Sequence, residues 1–176
     1  KGSPFTLRVE PSAVHGPSCT AAGDGLRTAL AGMPASFVVR AHDEFGRPKI
    51  MGGTKGFAAY VVPADANGDA RRVAATLTDL GNDSYEGSYT LQHAGEYRLH
   101  VRFGGAPISA SPFAVRVEPA ASDATHCTMR GDGLGVVTAG ELASFTIEAY
   151  DAHGNSRAGF RRDGEASAYE ASLRLV

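Results

Sequence analysis

Residues 94–118 read Ala94-Gly-Glu-Tyr-Arg-Leu-His-Val-Arg-Phe103-Gly-Gly-Ala-Pro-Ile-Ser-Ala-Ser-Pro-Phe113-Ala-Val-Arg-Val-Glu118. Tyr97, Leu99, Val101 and Phe103 alternate with Arg98, His100 and Arg102. Phe113, Val115 and Val117 alternate with Ala114, Arg116 and Glu118. A period of two sends one set into a core and the other into water. Gly104-Gly105 supplies the turn, because glycine accepts positive φ without a steric penalty. The stretch therefore predicts a hairpin, which is stable only if a second sheet covers its apolar face.

The rest of the chain predicts that cover through an internal repeat. Ser3-Pro4-Phe5 recurs as Ser111-Pro112-Phe113, and Arg8-Val9-Glu10-Pro11 as Arg116-Val117-Glu118-Pro119. Cys19-Thr20 recurs as Cys127-Thr128, Gly23-Asp-Gly-Leu26 as Gly131-Asp-Gly-Leu134, and Ala35-Ser36-Phe37 as Ala143-Ser144-Phe145. Asp43 and Gly46 recur as Asp151 and Gly154. Every pair keeps one offset without a gap, and the period suits a β-sandwich of ~100 residues. Residues 1–11 then read as the last strand of a preceding repeat, 12–119 as a complete repeat, and 120–176 as the first half of another. That half has no counterpart of 85–117, so the chain reads as a window on a longer array.

Seven strands are expected in the complete repeat. They are Cys19–Ala22, Ala35–His42, Phe57–Val62, Arg72–Thr78 with Val73, Ala75 and Leu77 on one face, Tyr85–Leu91, and the two arms of the hairpin. A turn is expected over 65–69 and a further strand over 169–176. Short strands between turn-rich segments predict an all-β, immunoglobulin-like sandwich. Tyr97 stands just after Gly95 at the start of the sixth strand. It suits either a tyrosine corner, with its hydroxyl on nearby backbone, or a plain core tyrosine. Phe113 begins the inward face of the last strand.

These pieces resemble the filamin-type immunoglobulin-like repeat family. The residues that carry the resemblance are Gly23-Asp-Gly-Leu26, Pro34-Ala-Ser-Phe37, Asp43-Glu-Phe-Gly46, Gly52-Gly53, Asn82-Asp-Ser-Tyr85, Ala94-Gly-Glu-Tyr97, Phe103-Gly-Gly105 and Ser111-Pro-Phe113. They occur in the family's order. Leu91 stands where the family usually has proline, and no Gly-Gly follows Asn155. The resemblance implies a structural and scaffolding module of a multi-repeat protein, a spacer and docking surface in a cytoskeletal or ciliary assembly. It also implies partner peptides that add beside the third strand, next to the fourth. Here those segments offer Phe57, Ala58, Ala59, Tyr60, Val61 and Val62, with Arg72, Val73, Ala75 and Leu77. An ectodomain module of cell adhesion is the other reading, and Asn82-Asp-Ser84 is a candidate glycosylation sequon for it.

Composition points the same way. Lys plus Arg number 17 against 19 Asp plus Glu in 176 residues, and no basic run interrupts them, so there is no electrostatic footprint for nucleic acid. No apolar run approaches the ~20 residues of a membrane span. Cys19 and Cys127 occupy the same place in successive repeats, which suits two small buried side chains better than a bond between domains. No histidine pair has ligand spacing, and no nucleophile sits in a strand-to-helix elbow. Neither metal, cofactor nor enzymatic activity is expected. The partners expected are other proteins and neighbouring repeats, in the cytoplasm, cytoskeleton or cilium, or at the cell surface on the adhesion reading.

Overall fold

The computed structural model describes residues 2–6, 10, 12–49, 53–65 and 72–158. The chain divides into two units, residues 1–117 and 118–176. In the first, strands β1 (Thr20–Ala22), β2 (Thr28–Leu30), β3 (Pro34–Arg40), β4 (Phe57–Pro63), β5 (Val73–Ala74), β6 (Thr76–Asp79), β7 (Ser84–Thr90), β8 (Gly95–Phe103), β9 (Ala106–Pro107) and β10 (Phe113–Glu118) form two sheets. One runs β1-β3-β7-β6. The other runs β2-β10-β8-β4-β5, with β9 also on β8. The pairs with recorded register are antiparallel, and the result is an immunoglobulin-like β-sandwich.

Alternation builds the core. Ala35, Phe37 and Val39 of β3, with Tyr85 and Tyr89 of β7, point inward from one sheet. Val61, Leu99, Val101, Val115 and Val117 meet them from the other. Phe37 is 1% exposed. Its ring lies over Gly87, where an added Cβ would stand 2.2 Å from ring carbon Cζ. Glycine is unfavourable in a strand interior, and here it makes room for that ring.

Three local readings change. Thr28–Leu30 is a strand that three residues of unremarkable sequence did not announce. The fourth strand is two strands, because the chain leaves one sheet for the other at Ala75. β5 pairs with β4, and β6 pairs with β7. Gly104 and Gly105 do turn, with φ of 55° and 86°, but into the two-residue β9 rather than directly into β10. The turn expected at 65–69 lies mostly outside the described residues, as does the strand at 169–176. Residues 7–9 and 11 also lie outside them, while residues 2–6 and 10 are in no strand.

Asp43 fixes the turn after β3. One carboxylate oxygen accepts the amides of Phe45 at 3.0 Å and Arg47 at 2.9 Å. The other accepts the Ser12 amide at 3.2 Å and Arg47 Nε at 2.9 Å. The second unit repeats the device. Asp151 accepts the amides of His153, Asn155 and Ala120, each at 2.9 Å, and Asn155 Nδ2 at 2.8 Å. In the same unit β11 (Thr128–Arg130) pairs with β12 (Thr146–Glu148) in the register that β1 keeps with β3. Leu134 is 48% exposed and Phe145 40%, although their counterparts Leu26 and Phe37 are buried.

Two expectations follow. Gly87→Ala removes the room under Phe37, and such overpacking costs about 1–3 kcal/mol; urea unfolding measures it, and an unchanged midpoint contradicts the packing. Burial alone raises the Asp43 carboxyl, but the Arg47 and Ser12 amides, the Arg47 side chain and the Phe45 amide outweigh it, so its pKa lies below the ordinary value. Its contribution is complete above the unfolded pKa of about 3.9 and is lost as pH falls through the lower folded value. Asp43→Asn should therefore lower stability at neutral pH and flatten its decline below about pH 4. Urea titrations across that range check this, and parallel curves for the two proteins contradict it.

Candidate protein-docking edge

β4 is led to its place by polar contacts of the segment just before it. Asp79, at the end of β6, accepts the Gly53 amide at 2.7 Å. The Tyr85 hydroxyl donates to the Thr54 carbonyl at 2.8 Å and contacts Asp83 Oδ1 at 3.2 Å. Burial, with smaller contributions from Asp79 and Asp83, pushes that phenol up to about 12, so it is a donor at every physiological pH. The strand then opens on Phe57, whose ring packs against Tyr85 and Phe103, each at 4.8 Å between centroids.

One side of β4 is paired along its length with β8, from Phe57↔Phe103 to Pro63↔Tyr97. On the other side β5 covers only Tyr60↔Ala74 and Val61↔Val73, together with a bond from the Ala75 amide to the Ala59 carbonyl at 3.0 Å. In an antiparallel strand both backbone groups of a residue point to the same side, and successive residues alternate. The Ala59 carbonyl faces β5, so the Ala59 amide and both backbone groups of Phe57 face that way too. No strand among the described residues reaches Phe57 there. Ala58, Tyr60 and Val62 turn their backbone groups to β8 and their side chains to the outer face, whereas Ala59, 7% exposed, and Val61 face the core.

The other expected residues fall as follows. Val73, Ala75 and Leu77 are half-buried and pack against the core, next to the open segment. Arg72 is exposed, its guanidinium 4.9 Å from the Tyr60 ring centre. The Tyr97 hydroxyl donates to the His93 carbonyl at 3.0 Å, which is the geometry of a tyrosine corner. Phe113 is half-buried and lines a groove with Ala21, Gly23, Leu26, Arg27 and Pro112, away from β4. The Cys19 thiol donates to the His15 carbonyl and the Cys127 thiol to the Asp123 carbonyl, at 3.3 and 3.2 Å. Neither forms a disulfide. The Asn82 carboxamide oxygen accepts the Ser84 amide at 3.2 Å. Among the described residues no cluster of His, Cys, Asp and Glu is arranged to hold a metal, and no helix is long and apolar enough to cross a membrane.

Sequence reasoning missed the outer face of this sheet. Tyr60 stacks on His100 across β4 and β8, 4.9 Å between ring centres and 9° between planes. The alternation of His100 showed that it faces outward, but only the register Tyr60↔His100 shows what it meets.

The family described as Filamin/ABP280 repeat matches residues 13–114. Tripartite motif-containing protein 3 of Rattus norvegicus is 38% identical over 110 residues, 62% of this chain and 14% of that protein. Filamin-C of Rattus norvegicus is 33% identical over 156 residues, 86% of this chain and 5% of that protein. The chain thus spans a small part of the length of these relatives. Among solved structures, the Lin-41 filamin domain shares the fold with a TM-score of 0.51 at 23% identity, over 61% of this chain and 98% of that one.

A pair of proline substitutions tests the alternation along β4. Proline removes an N–H and is tolerated on an edge whose N–H faces outward. Tyr60→Pro breaks a ladder bond to β8 and should lower stability strongly, while Ala59→Pro should cost far less. Equal losses in thermal unfolding contradict the assigned edge.

Proposed function

The chain belongs to the filamin repeat family, and from that premise we propose that residues 12–119 are one repeat of a larger multi-repeat protein. It serves as a spacer and accepts partner segments as an added strand beside β4. The observation that carries this reading is the half-covered edge, where both backbone groups of Phe57 and the amide of Ala59 meet no strand among the described residues. Strand addition takes its affinity from such main-chain groups and its selectivity from pockets for alternate side chains. Val73, Ala75 and Leu77 supply an apolar floor for inward-pointing residues.

Neighbouring repeats are the second kind of partner. Support comes from the Asp151 turn, which copies the Asp43 turn, and from the 156-residue match to filamin-C, longer than one period. The module is non-enzymatic and acts in the cytoplasm, the cytoskeleton or a cilium. Two thiols held by backbone carbonyls rather than in a disulfide suit a reducing compartment.

Selection of a random peptide library displayed on phage against the whole chain tests the docking reading. Amide chemical-shift changes on adding the selected peptides should gather at Phe57–Ala59 and Val73–Ala75, and Ala59→Pro should abolish them. Changes centred instead on the groove of Leu26, Arg27 and Phe113 contradict the reading.

A further inference from the structure

The outer face beside the docking edge is basic. On β8 the outward residues are Glu96, Arg98, His100 and Arg102, and on β4 they are Ala58, Tyr60 and Val62. Arg98 stands opposite Val62, and Arg102 opposite Ala58. Small or apolar partners on β4 leave both arginines without a cross-strand acid. Neither makes an ion pair among the described residues, and Arg102 Nε is buried with no hydrogen-bond partner. Arg72 adds a third guanidinium at the entry to β5. The acids of this face, Glu96 and Glu118, lie at the far end with Arg116, which stands opposite Glu96. Burial first, and then the charges of Arg102, Arg72 and Arg98, hold the His100 pKa below its ordinary value.

We propose that the strand accepted beside β4 is acidic, with outward carboxylates drawn by the positive charge of Arg102, level with the open segment, and of Arg98 and Arg72 farther along the same face. The inference rests on the strand-addition reading and names the chemistry of its partner. An extended peptide places outward side chains about 6.8 Å apart, so every second residue of the added strand turns its side chain to this basic face. Single-stranded nucleic acid fits less well. Base stacking needs a bare aromatic face, whereas Tyr60 is flanked by His100 from β8 and by Arg72 from the β5 side. The chain also carries a net charge of −2.

The test compares fluorescein-labelled peptides Val-Glu-Val-Glu-Val-Glu-Val and Val-Ser-Val-Ser-Val-Ser-Val by anisotropy on the whole chain. The Glu peptide should bind about tenfold more tightly than the Ser peptide, a modest gain of the size that surface charge attraction supplies. The advantage should vanish in high salt, in Arg98→Ser/Arg102→Ser, and largely in Arg98→Glu, a single change at an exposed residue that guards against a misfolded double variant. Equal binding of the two peptides overturns the acidic partner and leaves strand addition standing. If neither binds while phage-selected peptides do, the acidic partner falls alone; if those fail as well, both readings fall. Tighter binding of a labelled oligouridylate, lost in the same variants, overturns the proposal in favour of nucleic acid.

Discussion

At Ala75 the chain changes sheets, and the edge of the larger sheet is defined by that change. β5 gives two residues to β4 before the backbone leaves, and β6 gives four to β7. Neither sheet receives a full-length edge strand. The alternation of Val73, Ala75 and Leu77 runs unbroken through the crossing, so the apolar face stays against the core while the hydrogen bonds change partner. The consequence falls on β4, which is long and well anchored at Phe57 but, among the described residues, is covered on its outer side only from the Ala59 carbonyl to Val61. An unpaired strand edge is a hazard for a solitary domain. In a docking module it is the feature that recognises a partner.

A second constraint keeps the edge in place. A carboxylate without exposed surface is costly unless its oxygens are fully engaged. Asp43 meets that condition with amides from its own turn, the Arg47 side chain and an amide from the segment before β1. The turn and the start of the repeat are thereby tied at one point. Asp151 does the same with Asn155 where the first copy has Arg47. An amide donor in place of a guanidinium keeps the geometry and changes the charge balance, so the shape of the turn is what the two copies share.

Much of the fold was legible because strands with one buried face write a period of two. The strands that carry Leu99, Val101, Val115 and Val117 pair as read, and β11 and β12 repeat the register of β1 and β3. Thr28–Leu30 was not legible, since three residues cannot display a period, and its strand character comes from pairing with β10. The switch at Ala75 was hidden for the opposite reason: alternation records which face is buried, not which neighbour receives the hydrogen bonds. Phe57–Val62 was likewise recognisable as a strand, but its coverage by β5 depends on contacts distant in sequence. The Tyr60–His100 stack required the cross-strand register.

If β4 keeps an open segment in the free protein, amide hydrogen exchange along this strand reveals it. Protection reports the hydrogen bonds that each amide makes in the native state. The account predicts that the amides of Ala58, Tyr60 and Val62, directed at β8, exchange slowly while those of Phe57 and Ala59 exchange fast. Protection of Phe57 and Ala59 equal to that of Tyr60 would show the edge already covered and would contradict the account.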